Sequence, residues 1–391
     1  MGEATARQSI FGGSRWISRL LARFGLSSDP DHRSLWVTLL VVAIISIPPL
    51  LLSVLSGTAL GSAVDIPFLR DANSLVRLFV VVPVLVVAAN AVGVQLAVAM
   101  SYLDASSLIG EADRPEYADA RADIGRRARS TTIELVILAL ALLVPFLLLL
   151  LVGAEPRAGL TNWMVHAPDD IALSPAGWYF TLISRPLVGF FLVLWAWRYL
   201  VWCLFMRRLG GMDLELQPAH PDMIGGIAPV VRAHISFVLV GLAVNAALSG
   251  AIADELLYGG ASLTEARPEI IFFTAIAVIA LAAPLIVLTP GLIRAKNRGM
   301  VEYGRLAHQL TVDFDARWQS PGDEKLLDTA DPSAMADFNA DYDTVRGMRV
   351  FPLGLRALAV LAVILFVPFS ALALTQVSLT QLLRALVSKA F

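Results

Sequence analysis

The stretch of this chain best suited to chemistry is Leu214–Glu215–Leu216–Gln217–Pro218–Ala219–His220–Pro221–Asp222–Met223–Ile224–Gly225–Gly226–Ile227. Two prolines restrict its backbone, and Pro221 sets His220 and Asp222 in a near-extended relation. Gly225 and Gly226 then permit close backbone approach. Such a loop can offer an imidazole, a carboxylate and backbone N–H groups to a phosphate or a metal ion. The simpler reading is a rigid turn in which His220 and Asp222 cap helix ends.

A second set of polar residues lies inside strongly apolar sequence: Arg185, Arg198, Glu134, Asn90, Gln95 and Asn245. A buried arginine costs at least ~2.5 kcal/mol in a membrane, so each must face a partner, a cavity or the headgroups. Glu134 and Arg198 are expected near the cytoplasmic boundary, where long side chains snorkel to water. Arg185 is about seven residues into its run, roughly 10 Å deep at 1.5 Å per residue. It directly precedes Pro186 and is a candidate anion contact or interhelix ion pair.

No catalytic set emerges. The chain has no glycine-rich phosphate loop, no His-Glu-x-x-His and no Gly-x-Ser-x-Gly elbow. Its one cysteine, Cys203, forms no internal disulfide and no thiolate cluster. His308, Asp313 and Asp315 could join His220 and Asp222 in a mixed metal set only if a later segment folds back, and the spacing does not require it. No metal, cofactor or nucleic-acid partner is expected.

The elements that must position these residues are seven long apolar runs, near Leu35–Ser56, Leu78–Leu103, Thr132–Val152, Trp178–Phe205, His234–Leu256, Ile270–Ile293 and Gly354–Leu374. Each is at or above the ~20 residues that cross a bilayer as a helix. Without the alternation of a membrane barrel, only a helix bundle satisfies this much backbone in lipid. The 391 residues are 57% hydrophobic and only 16% charged, whereas a soluble domain is about a quarter charged. The fold class is therefore an all-α, polytopic membrane bundle of about seven helices.

Lys and Arg concentrate in alternate loops, within 1–34, 104–130, 207–232 and 294–356. The intervening loops hold only Arg70, Arg157, Arg267, Arg384 and Lys389. The positive-inside rule then places the N-terminus in the cytoplasm and the C-terminal tail outside, unless the seventh run is re-entrant.

Residues 14–25 form an amphipathic pattern suited to the headgroup region within a cytoplasmic segment, 1–34. The membrane domain, 35–293, follows. Residues 294–352 read as a cytoplasmic helical hairpin, with stripes Tyr303–Leu306–Leu310–Phe314–Trp318 and Met335–Phe338–Tyr342–Val345. A seventh helix and tail, 353–391, complete the chain. A hairpin this small should pack on the bundle or on a protein partner, and self-association is the other contact expected besides the bilayer.

Proline stands in or beside most runs: Pro48–Pro49, Pro83, Pro145, Pro186, Pro284, Pro290 and Pro368. It predicts kinked or broken helices of the kind that line transporter sites. Small residues recur every four positions at Ala89–Gly93–Ala97–Ser101 and Ala243–Ala247–Ala251, which predicts close helix packing. Trp195, Trp197, Tyr199 and Trp202 read as an aromatic belt at the cytoplasmic interface.

The run from Trp195–Ala196–Trp197–Arg198–Tyr199 through Asp213–Leu214 to Pro218, His220–Pro221–Asp222 and Gly225–Gly226 resembles a family of uncharacterised bacterial polytopic membrane proteins with a P-x-H-P-D-x-x-G-G loop. Tyr303–Gly304–Arg305–Leu306–Ala307–His308–Gln309 is similar to the same family. The resemblance implies a bacterial inner membrane and no particular activity. On these grounds the first expectation is a channel or secondary transporter for a small solute or ion. The alternative is a non-catalytic scaffold or interaction subunit of an envelope complex.

Overall fold

A computed structural model describes residues 30–152, 160–165, 173–319 and 331–376. The amphipathic stretch 14–25, residues 320–330 within the expected hairpin, and the tail beyond residue 376 lie outside them. The described chain is helical, with only isolated bridges such as Ile66 to Asn162 and Ile109 to Leu214 in place of strands.

Among the described residues six helical stretches are long and apolar enough to cross a membrane. The first is α1 (Pro30–Leu55). In the second, α2 (Ala72–Val76) continues through a π turn, Arg77–Val81, into α3 (Val82–Ala105). The third joins α4 (Arg114–Ala128) to α5 (Thr131–Val152). The fourth runs from α6 (Pro175–Tyr179) through a π turn, Phe180–Ser184, into α7 (Arg185–Gly211). The fifth is α8 (Ala228–Ile235) with α9 (Val238–Tyr258). The sixth is α10 (Leu263–Ala282), a 3-10 turn (Ala283–Leu288) and α11 (Thr289–Gln319). An outer helix, α12 (Asp331–Gly347), packs on α11.

The seventh apolar run is α13 (Leu355–Ser370), followed by a last turn, α14 (Ala373–Gln376). With 16 residues, α13 is about 24 Å long, shorter than the other six. It runs from beside the α12 exit to a small apolar cluster of Ile252, Ala266, Ile270 and Phe369 at the far end of the bundle.

Proline shapes the second and fourth stretches in the same way. A helical proline lacks its own N–H and presses on the carbonyl four residues back, here Phe79 for Pro83 and Leu182 for Pro186. The chain widens by one residue just before each ring. Val82 N–H bonds the Arg77 carbonyl, and Arg185 N–H bonds the Phe180 carbonyl, each reaching five residues back. Pro284 instead opens the 3-10 turn.

Close packing explains several of the small residues. Gly93, Ala97 and Ala243 are buried within the bundle. A Cβ on Gly210 would meet the Val287 carbonyl oxygen at 2.5 Å, so α7 lies directly on the 3-10 turn. A Cβ on Gly250 would lie 3.1–3.3 Å from Val76, Asn73 and Ala72, so α9 crosses α2 with little to spare. A continuous core including Leu78, Val81, Leu85, Val92, Leu96, Trp195 and Trp202 fills the space between the helices.

The loops sort to two ends. At one, which carries the basic loops, Arg208 pairs with Asp119 at 2.9 Å, Arg121 with Asp104 at 2.6 Å, and Glu215 N–H bonds the Leu108 carbonyl. Asp123 pairs with Arg127 one turn on at 2.9 Å, and Arg126 joins it. At the other end, Asp71 caps α2 by accepting from Ser74 N–H, and Trp163 Nε1 donates to the same carboxylate at 2.9 Å. Ser262 and Glu265 close a reciprocal capping box on α10.

Candidate functional site

The loop 212–227 sits at the basic end between α7 and α8, and Asp222 organises it. One carboxylate oxygen accepts from Ile224 N–H at 2.9 Å and Gly226 N–H at 3.0 Å. The other accepts from Ala228 N–H, the first residue of α8, at 3.1 Å. The amides that might have greeted a phosphate are thus taken by a carboxylate of the same loop, the capping role of the simpler reading. Burial alone would raise the Asp222 pKa, but the Ile224, Gly226 and Ala228 amides with His220 outweigh it and hold the carboxyl below its ordinary range.

His220 lies against Asp222, its Nδ1 2.9 Å from the carboxylate and 3.2 Å from the Asp222 backbone nitrogen. A protonated Nδ1 donates to the carboxylate, and an unprotonated one accepts from the amide. Met223, Gly225 and Gly226 all have positive φ, at 57°, 71° and 92°. For Met223 that conformation is strained. Neighbours hold it there: Met223 N–H bonds the His220 carbonyl, and Arg349 N–H bonds the Met223 carbonyl at 2.8 Å. Gly225 has no room for a side chain, since a Cβ would stand 2.9 Å from Leu216 Cβ.

Three distant elements clamp the loop. Tyr102 of α3 donates to the Gly226 carbonyl at 2.8 Å. Arg298 of α11 donates to the Leu216 carbonyl at 2.9 Å, and Arg349 beyond α12 donates to the Asp222 carbonyl at 3.1 Å. Lys296 ties the α12 exit to α11 through the Met348 carbonyl at 2.7 Å. The loop is a junction of the bundle with the outer hairpin. Tyr303, Phe338 and Tyr342 stack between the hairpin helices, and Val345 is buried, but Leu306 is exposed rather than part of the packed stripe.

Inside the bundle, Arg198 and Glu134 are both buried, at 3% and 8% exposure, and the carboxylate acts electrostatically on the guanidinium. Arg198 also lies over the Trp195 ring, 5.2 Å from its centroid. Snorkelling is therefore not how these two charges are satisfied. The aromatic belt is likewise corrected: Trp195 and Trp202 are core residues, and only their sequence position relative to the boundary suggested otherwise. Trp195 Nε1 donates to the Leu85 carbonyl at 2.9 Å, and Trp202 Nε1 donates to His234 Nδ1 at 3.2 Å. His234 then carries its proton on Nε2, 2.7 Å from the Leu281 carbonyl.

Asn245 is buried and donates to the Leu365 carbonyl of α13 at 2.8 Å. Ser249, one turn on, donates to the Pro368 carbonyl at 2.8 Å. Arg185 and Asn90 behave differently. Both are exposed on the outside of the bundle, with no hydrogen-bond or ion-pair partner among the described residues. Arg185 follows the π turn and is not brought together with Glu134 or Arg198 as a single site.

Among the described residues no group of three or more His, Cys, Asp or Glu side chains is placed to hold a metal ion. His308, Asp313 and Asp315 are thus not gathered with His220 and Asp222. A shallow cleft at the basic end is lined by Asp123, Arg127, Val201 and Arg208, away from Arg185.

Sequence reasoning overlooked Asp71, Asp254 and His234. Asp254 is fully buried and accepts from Ala72 N–H at 2.9 Å and Asn73 N–H at 3.3 Å, so two carboxylates serve the start of α2. The Asp71-x-x-Ser74 spacing is a legible cap signal. Asp254, followed by Glu255 at the edge of an apolar run, looks like an ordinary boundary charge. No family model, no curated protein and no solved structure matches this chain.

Proposed function

We propose that this multi-pass membrane protein is a non-catalytic scaffold or interaction subunit of a bacterial inner membrane, with its basic end in the cytoplasm. The observation that carries this reading is where the polar groups inside the bundle direct their bonds. Glu134 and Arg198 are both buried and act on each other electrostatically, while Asn245, Ser249, Trp195, Trp202 and His234 bond neighbouring helices or each other. Arg185 points outward. The loop of His220 and Asp222 is occupied in fixing the hairpin to the bundle. Such a platform presents α11 and α12 to a partner, with Val301 and Val312 exposed on α11.

Photo-crosslinking groups at Val301 and Val312 in native membranes test it. A discrete adduct, weakened by Val312→Glu, is expected. An absent adduct, together with a solute flux in proteoliposomes abolished by Arg198→Gln, overturns the scaffold reading in favour of transport. The transport reading draws its own support from the two π turns before Pro83 and Pro186, because π turns often mark functional segments.

A further inference from the structure

The outward face of α3 has the pattern of a helix that should be covered. Val87, Ala91, Val94, Val98, Ser101 and Ala105 recur at alternating spacings of four and three, the seam spacing of paired helices. All six are small or β-branched, which lets two backbones approach closely in lipid. Val87, Val94 and Val98 are about half exposed, at 51%, 50% and 50%. Asn90 and Gln95 flank this seam, one on each side and ~140° apart at 100° per residue. Both amides are exposed near the middle of an apolar stretch of 34 residues, and neither has a hydrogen-bond partner among the described residues.

An amide facing hydrocarbon lacks the bonds water would supply. Elsewhere in the bundle an equivalent group, Asn245, is buried on a carbonyl. The partner that would satisfy Asn90 is set by the flank geometry. In two parallel helices about a two-fold axis, a residue on one flank of the seam faces the residue five positions later on the other flank of its partner. Asn90 and Gln95 are five positions apart on opposite flanks. We infer that α3 is the interface of a symmetric dimer with a second copy of this chain. In it, Asn90 of each copy bonds Gln95 of the other across the valine seam. Each amide carries a donor and an acceptor, so the pairing is self-complementary, as an isologous interface requires. Two copies inserted the same way in one membrane are parallel, so no inversion is needed.

The test uses the full chain in proteoliposomes. In a Cys203→Ser background, Val94→Cys should form a disulfide-linked dimer under mild oxidation, while Leu135→Cys, at least as exposed on α5, should not. Asn90→Leu with Gln95→Leu should weaken energy transfer between labelled copies about tenfold. Thermal unfolding of the dilute protein should stay unchanged, because both side chains lie outside the packed core. A Val94→Cys chain that crosslinks no better than Leu135→Cys overturns the proposal. So does a double variant that associates as tightly as its parent, or a Val94→Cys adduct to a different protein in native membranes.

Discussion

Asp222 does at residue scale what a bound anion would do, and its charge is the reason. Asp222→Asn places an amide among three backbone N–H donors, and at least one of them, Ala228 N–H when the amide oxygen keeps Ile224 and Gly226, then faces an NH2 group instead of an acceptor. The variant should lose about 2 kcal/mol of stability, within the range for hydrogen bonds to charged groups, read by thermal unfolding in detergent. Because the folded carboxyl titrates below its unfolded value near ~3.9, its contribution is complete well above that pH. It disappears as pH falls below about 4, so wild-type stability should drop there and Asp222→Asn should lack that step. Glu134 and Arg198 make a second prediction. Removing one partner strands a buried charge, so Glu134→Gln or Arg198→Gln should each cost about 3–5 kcal/mol, and the double variant less than the sum. Sequence disclosed both groups as polar residues in apolar runs. It did not disclose their pairing, because α5 and α7 meet only in the folded bundle and no spacing along the chain encodes that meeting.

Elements show where backbone contact replaces side-chain contact. Gly210→Ala drives a methyl group into the Val287 carbonyl, a backbone atom that cannot rotate away. Gly211, its neighbour, has open space within 4 Å. Gly210→Ala should therefore destabilise by about 1–3 kcal/mol while Gly211→Ala is near neutral, a contrast that thermal unfolding of the two resolves. The prolines were legible as disturbances of helices, yet their result was not. Pro48, Pro49 and Pro145 sit within continuous α-helix, whereas Pro83 and Pro186 are each preceded by a π turn. Which outcome follows depends on what packs against the freed carbonyls. The tryptophans show the same gap: their position along α7 was readable, but the side of α7 that faces the core was not.

At the scale of the whole molecule, the apolar runs made the all-α bundle evident, and among the described residues six helical stretches are long enough to span. The orientation is open to a direct check. With Cys203→Ser, a cysteine at Val301 should react with an impermeant reagent in inverted vesicles but not in intact cells. One at Leu60, exposed at the opposite end, should react only from outside. What composition could not foresee is how late the bundle is completed. Asn245 waits for Leu365, 120 residues downstream, and Ser249 for Pro368, 119 residues downstream. At ~5–20 residues per second the ribosome needs roughly 6–24 s to supply those acceptors. For that interval α9 is a nascent membrane segment with two unmet polar groups, dependent on the insertion machinery or on water until α13 arrives.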